Sequence, residues 1–427
     1  RMLFLTGAIR RDQSSAYSPN AIGQVLPRLT FAFLPSELEG FKNSKMGNWW
    51  NTLKIRAAYG RAFVFSAVQY FERFTTYTPF SYVGGLGGFT TPLSLNNRDI
   101  LPEIKNELEF GTDLEFFKGR LNVTLNYYSQ KIENLIVRVL PAPSVGGTSI
   151  LSNVGTMTNK GIELLISGTI IKSKNFQWVS TINYNRNRNV VTKVTLAPGF
   201  INLNAETQGI QQGSPFGIFN IRYYARNANG TLLLNADGLP QVERGDASGK
   251  PQRDANGQPV GTPLRKIFGT ALPDWTGTFI QEFSYKKLAL RIQIDHNQGG
   301  LRYNWNRITG NNVGNGLMAE KELKGELPRG WVAAVGGFIG PRIQEEHLES
   351  GTFTRLRELT LSYNIGKVGK IGNFTAGVTG RNLFLWTEYT GYDPETNSGG
   401  QSIRVLGDDF GNFPIPRTIL FNLTVNF

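Results

Sequence analysis

Glu107, Glu109, Asp113 and Glu115 place four carboxylates on one parity of a short stretch, with Gly111 between them. Two chemistries use acids in such numbers. A pair can straddle a glycosidic bond as acid and base, or a row can set the electrostatic field of a wet surface. Residues two apart on an extended segment stand side by side on one face rather than across a cleft, so the glycosidase geometry is missing. The row is expected to line a polar lumen. Contact with a ligand or with cationic groups of another protein part is one outcome; an ordinary solvated surface is the other.

Other reactive groups are scarce. The chain has no Cys, and His296 and His347 are its 2 histidines, which removes thiol catalysis, disulfides and Cys-based metal sites. Asp246-Ala247-Ser248-Gly249 and Asp254-Ala255-Asn256-Gly257 lack the alternating oxygen ligands and closing Glu of a calcium loop, and read as turns. Gly249-Lys250 lacks the rest of a phosphate-binding loop, and no helix follows Gly84-Gly85-Leu86-Gly87-Gly88. No catalytic residue, metal ligand or cofactor is predicted, and enzyme is the least supported class. Lys and Arg number 45 against 32 Asp and Glu, a net of +13, yet no block of five cations occurs. Nucleic-acid binding is therefore not predicted. The cations read as solvated turns, or, on a membrane barrel, as rim residues facing lipid phosphates.

The elements that must position these residues are strands. Between Glu107 and Phe116, Leu108, Phe110, Thr112, Leu114 and Phe116 alternate with the acidic row. Leu121, Val123, Leu125 and Tyr127 interleave with Asn122, Thr124 and Asn126. The same period of two recurs in Phe176–Asn185, Leu288–Asp295 and Ile419–Phe427, and helical spacing is absent from all of them. About twelve such segments start near Met2, Gly23, Thr52, Asn106, Arg120, Gly161, Phe176, Trp275, Leu288, Arg355, Asn373 and Arg417. No apolar run reaches the roughly 18 residues of a membrane helix; the best, Trp331 to Ile339, is short and broken by Gly. Alternating strands escape that criterion, so a large soluble β protein and an outer-membrane barrel both remain open.

Connection lengths favour the barrel. Very short turns lie near Lys118-Gly119, Lys172 to Asn175, Lys286-Lys287 and Gly366 to Gly372. Long stretches, about 62–101, 140–153, 195–273, 301–354 and 387–416, alternate with them from the third strand onward. Outer-membrane barrels sort short turns to the periplasm and long loops outside, whereas sandwiches and propellers have no reason to do so. Most of the chain is then loop, and one loop concentrates aromatics: Phe63, Phe65, Tyr70, Phe71, Phe74, Tyr77, Phe80 and Tyr82. Phe71, Phe74, Tyr77 and Tyr82 are the contact candidates, for a lid protein, for a ligand, or for packing within the loop.

Seven collinear stretches resemble one family. Arg10-Arg11-Asp12-Gln13-Ser14-Ser15 is similar to its R-x-D-G-S-S stretch, with Gln13 in place of Gly. Leu53 to Gly60 is similar to L-K-x-R-x-S-Y-G, and Pro102-Glu103 with Glu107, Glu109, Gly111 and Asp113 to P-E…E-x-G-x-D. Asn153, Gly155, Asn159, Gly161 and Glu163 match N-x-G-x-x-x-N-x-G-x-E. Phe353 to Leu359, then Gly380-Arg381-Asn382-Leu383-Phe384 with Gly391-Tyr392-Asp393-Pro394-Glu395, and finally Pro416-Arg417-Thr418 through Phe427 complete the series. Together they resemble the SusC/RagA-like TonB-dependent transporters of Bacteroidota outer membranes.

The resemblance implies an all-β, transmembrane, antiparallel up-and-down barrel, with residues 1–427 supplying about 12 of 22 strands as the C-terminal part of the barrel domain. The plug and the N-terminal strands are expected on a longer polypeptide, since the sequence begins as though in mid-strand and twelve strands alone leave two edges in lipid. It further implies import of bulky nutrients, glycan or oligopeptide, with a SusD-like lipoprotein as lid and TonB acting through the plug. Outer-membrane lipid and lipopolysaccharide are expected around the barrel, and a homodimer is left open. The acidic row would then face plug cations or cargo. The alternative is a barrel of this family serving as a structural or assembly subunit without transport. A third reading, a soluble or surface β protein that binds glycans, stands or falls with release by high salt.

Overall fold

A computed structural model describes the 427-residue chain except for residues 1, 22, 65–67, 69–70, 75, 82–86, 91, 140, 143, 145, 196–198, 204–206, 337–342, 370, 401–405 and 427. Phe65, Tyr70, Tyr82, Gly84 to Leu86 and the terminal Phe427 thus lie outside the described residues. Twelve antiparallel strands follow one another in chain order through a single sheet. They are β1 (Leu3–Asp12), β2 (Gln24–Phe33), β3 (Trp50–Val64), β4 (Glu103–Phe116), β5 (Leu121–Val139) and β6 (Ser149–Lys172). β7 (Phe176–Val194), β8 (Trp275–Tyr285), β9 (Leu288–Gln298), β10 (Phe353–Val368), β11 (Gly372–Thr387) and β12 (Thr418–Asn426) complete it. A two-residue strand, Ser94–Leu95, adds to β6 in parallel. β1 and β12 have no second neighbour among the described residues.

Register turns the period-two pattern into two faces. Ala57, Phe110, Tyr127 and Ile162 stand opposite one another on β3 to β6. Phe283, Leu290, Leu361, Val378 and Phe421 do so on β8 to β12. These apolar rows stay largely exposed, with no second sheet laid over them among the described residues. Aromatic pairs close both margins of the band. At the short-turn end Trp49 lies 5.8 Å from Phe116 and Trp178 lies 5.7 Å from Phe283. Toward the other end Tyr184 and Trp275 are 5.6 Å apart.

Turns 117–120, 173–175 and 286–287 and the short connection between β10 and β11 share one end of the sheet, as the sequence pattern predicts. The segment 34–49 also lies there, although it is longer than 13–23 opposite; it carries a short helix, Glu39–Lys42, whose Phe41 packs on Trp50 at 5.8 Å. Eleven of the strand starts fall close to those expected. The exception is β6, which begins at Ser149 rather than near Gly161. Leu151, Val154 and Met157 are buried there under loop structure, so both faces are covered and alternation, the signal for the strand, disappears.

All four clusters of buried apolar side chains sit at the long-loop end. One joins the upper parts of β5 to β7 with Ile210 and Phe216. A second gathers Tyr17, Leu26, Phe63 and Ile100. The other two tie segment 195–274 to three helices, α1 (Trp305–Asn312), α2 (Leu317–Leu323) and α3 (Trp331–Gly336). This crown is globular protein set on a wall that, among the described residues, has no apolar core of its own.

Candidate functional site

The inner face of the wall is a ladder of polar pairs. Arg56 on β3 donates from Nε and Nη2 to both oxygens of Asp113 on β4, each at 3.0 Å, and from Nη2 to Asn126 on β5 at 2.9 Å. Its guanidinium also lies 3.7 Å from Glu109. Gly111 makes this possible, because a Cβ there would stand 2.9 Å from the Arg56 Cζ and 2.6 Å from the Asn126 Oδ1. That is the physical content of the E-x-G-x-D spacing: the glycine is the floor on which the arginine lies. Thr52 donates to Glu115 at 3.2 Å, and Gln130 to Glu107 at 2.6 Å. All four predicted acids share one face, and each has a partner within the wall.

Two concavities indent that face. One, about 340 Å³, is lined by Glu107, Glu109, Tyr128, Gln130, Asn159 and Glu163; the other, about 430 Å³, by Thr124, Asn126, Glu163, Asn183 and Thr276 among others. Glu163 belongs to both and extends the acidic row onto β6. Its place in the sequence pattern was visible, since the N-x-G-x-E stretch puts it on the same parity as Asn159. Farther along the wall, Arg291 donates to Glu358 at 2.7 Å and Arg357 to Asp295 at 2.5 Å.

Where wall meets crown, stretches far apart in sequence converge. Arg355 donates to Asp393 at 2.5 Å, and both are 2% exposed. Arg357 donates to Glu395 at 2.8 and 2.9 Å and to Asn382 at 3.1 Å, and Asn382 donates to the carbonyl of Pro416 at 3.1 Å. Asp393 also accepts the backbone N–H groups of Glu395 and Ile415 at 3.0 and 3.1 Å. The three C-terminal stretches singled out in the sequence thus form one clasp that fastens residues 393–395 and 415–416 to β10 and β11. A second pin acts on β5 and β6, where Asn153 exchanges hydrogen bonds of 2.9 Å with the backbone of Leu101.

The crown holds a cavity of about 630 Å³ between segments 195–274, 299–352 and 388–417. Tyr224, Asn306, Arg307, Asn311, Trp331 and Tyr392 are among its lining residues. Tyr224 donates to Glu346 at 2.7 Å, and burial, with that carboxylate, pushes its hydroxyl well above the usual phenol range. Arg307 pairs with the same Glu346. Sequence pattern gave no access to this cavity, because it assembles from three connections that have no periodicity. Of the loop aromatics, Phe71 is 74% and Tyr77 62% exposed, Phe74 lies beneath the Arg73 guanidinium at 4.1 Å, and Phe63 is buried against Tyr17.

A family model described as "TonB dependent receptor-like, beta-barrel" matches residues 2–383. The chain belongs to the TonB-dependent receptor β-barrel family. Within it, the resemblance to SusC and RagA holds. TonB-dependent receptor P3 of Formosa agariphila is 28% identical over 457 residues, which cover 99% of this chain and 44% of the relative. TonB-dependent receptor SusC of Bacteroides thetaiotaomicron is 22% identical over 334 residues, 74% of this chain and 31% of SusC. The solved RagAB peptide transporter superposes with a TM-score of 0.80 at 22% identity, over 99% of this chain and 46% of that one, which establishes likeness of fold. The chain therefore spans less than half the length of these relatives, and its place is the bacterial outer membrane. The exposed apolar rows and the polar ladder are the two opposite faces of this wall.

Proposed function

We propose that this chain forms the C-terminal part of a closed 22-strand barrel that imports bulky nutrients, glycan or oligopeptide, across the outer membrane. A plug and the remaining strands, on polypeptide outside residues 1–427, would complete it and receive the TonB-delivered force. A SusD-like lipoprotein would cover the long-loop end. The observation that carries this reading is the division of one sheet into an unpartnered apolar face and a satisfied polar face, topped by a folded crown. A scaffold needs no wet, acid-lined interior; a conduit does. In this reading Glu107, Glu109, Asp113 and Glu115 face plug cations or cargo, and Phe71, Phe74, Tyr77 and Tyr82 meet lid or cargo. The unpaired edges of β1 and β12 support further strands, since open edges are too costly to leave in lipid.

The test is uptake in the native host. With the gene deleted, accumulation of either fluorescent oligopeptides or fluorescent oligosaccharides should fall to background, return with the intact gene, and vanish again when the proton gradient is collapsed. Unchanged uptake of both classes, with the outer membrane otherwise altered in composition, would instead support the assembly role.

A further inference from the structure

The outward face of β3 to β7 changes character just above its apolar band. Arg61, Lys131, Lys160, Arg186 and Arg188 share the parity of Tyr59, Tyr127 and Ile162, and so point away from the lumen. They stand ten to twelve residues above the short-turn ends of their strands, Trp50, Leu121, Lys172 and Phe176. At about 3.3 Å per residue and the usual barrel tilt, that is about 25 Å, the height of an outer-membrane apolar band. The cations are thus set at the outer headgroup level, level with Trp275 of the upper aromatic margin, which lies ten residues above Tyr285.

Their mutual arrangement is unfavourable without an anion. Lys160 and Arg188 are directly opposed across β6 and β7, with Arg186 two residues away on the same face. Like charges so placed destabilise a sheet. Lys131 has a carboxylate, Glu133, at 2.6 Å, but Lys160, Arg186 and Arg188 make no ion pair among the described residues, and all three are exposed. Among the described residues of β3 to β7, Glu133 is the sole acid on the outward face.

We propose that this patch binds the phosphate of an anionic glycolipid headgroup in the outer leaflet, with Lys160, Arg186 and Arg188 clamping it and Lys131 and Arg61 at its flank. The proposal rests on placement in the outer membrane and not on import. Charge decides the occupant: three unpaired cations beside an apolar band fit a phosphate carried on acyl chains, since the acyl chains fill the band below and the phosphate removes the Lys160–Arg188 repulsion.

The full protein, extracted in mild detergent, would be incubated with diphosphoryl lipid A, dephosphorylated lipid A or phosphatidylglycerol, and retained lipid counted by native mass spectrometry. Diphosphoryl lipid A should be retained best, and the K160Q/R186Q/R188Q variant should lose it by on the order of a hundredfold in apparent affinity. Heat-modifiable gel mobility reports whether the variant is folded, and R186Q alone, with a smaller loss, serves if the triple variant is not. Equal retention by wild type and a folded variant, or equal retention of the dephosphorylated lipid, overturns the proposal. So does loss of an acidic copurifying protein with no change in lipid.

Discussion

Phe110 and Ile210 are both apolar residues in β structure, yet Phe110 is 50% exposed and Ile210 is 0% exposed. Phe110 lies in the wall, in a row that stays exposed; Ile210 lies in the crown, inside a cluster with Leu135, Met157 and Phe216. The difference shows that one polypeptide is folded for two solvents. The crown hides apolar area from water in protein-filled cores, as a soluble domain does. In the proposed barrel the wall leaves the burial of its exposed apolar rows to lipid; its side-chain hydrogen bonds gather on the opposite face, where cross-strand partners meet them.

Breaking the crown should leave the wall standing. Asp393→Ala leaves the buried Arg355 with the Glu395 carboxylate alone, at 3.2 Å, and removes the acceptor of two backbone N–H groups, at a cost of about 3 kcal/mol. Segment 388–417 should become protease-sensitive while the folded gel mobility of the barrel persists. Breaking the wall calls for the opposite kind of change. Phe110→Arg sets a charge in the lipid band and should cost about 3 kcal/mol on folding into bilayers, whereas Glu109→Gln next to it should change stability by under about 0.5 kcal/mol. Gly111→Val keeps the outer face intact and pushes on Arg56 and Asn126 from within, for about 2 kcal/mol, with the lumen lining disturbed rather than insertion.

The smallest effect concerns crown chemistry alone. Hydrogen bonds from Ser248, the Lys250 backbone and Gln252 hold the Asp246 carboxyl below the usual carboxylate range. A depressed folded pKa stabilises the turn above the ordinary Asp value, and that contribution fades as pH falls through the folded value. Pepsin cleavage within 246–250 should therefore rise on acidification below the normal Asp range in wild type, and Asp246→Asn should flatten that rise.

What the sequence made legible divides along the same line. Wall strands were readable because one face is apolar and the other polar, and turn lengths alternate with them. Where both faces are covered, as at Ser149 to Met157, the pattern vanished and the strand start was missed. The crown has no single period. Asp246 and Asp254 were identified as turn residues, but Asn227-Ala228-Asn229-Gly230 and Asn235-Ala236-Asp237-Gly238 repeat the same (Asn/Asp)-Ala-x-Gly form and fold as two more turns. That repeat was the available signal. The helices around Trp331 and the cavity they enclose depend on contacts among three connections, which no local pattern encodes.

The division of the wall can be read one residue at a time, because the chain contains no cysteine. Single cysteines placed in turn from Glu107 to Leu114, labelled with a small fluorophore in reconstituted full-length protein, can be quenched by brominated lipid or by aqueous iodide. Lipid should quench positions 108, 110, 112 and 114, and iodide 107, 109, 111 and 113. Quenching that ignores parity, or lipid contact at the acidic positions, would contradict the two-solvent account.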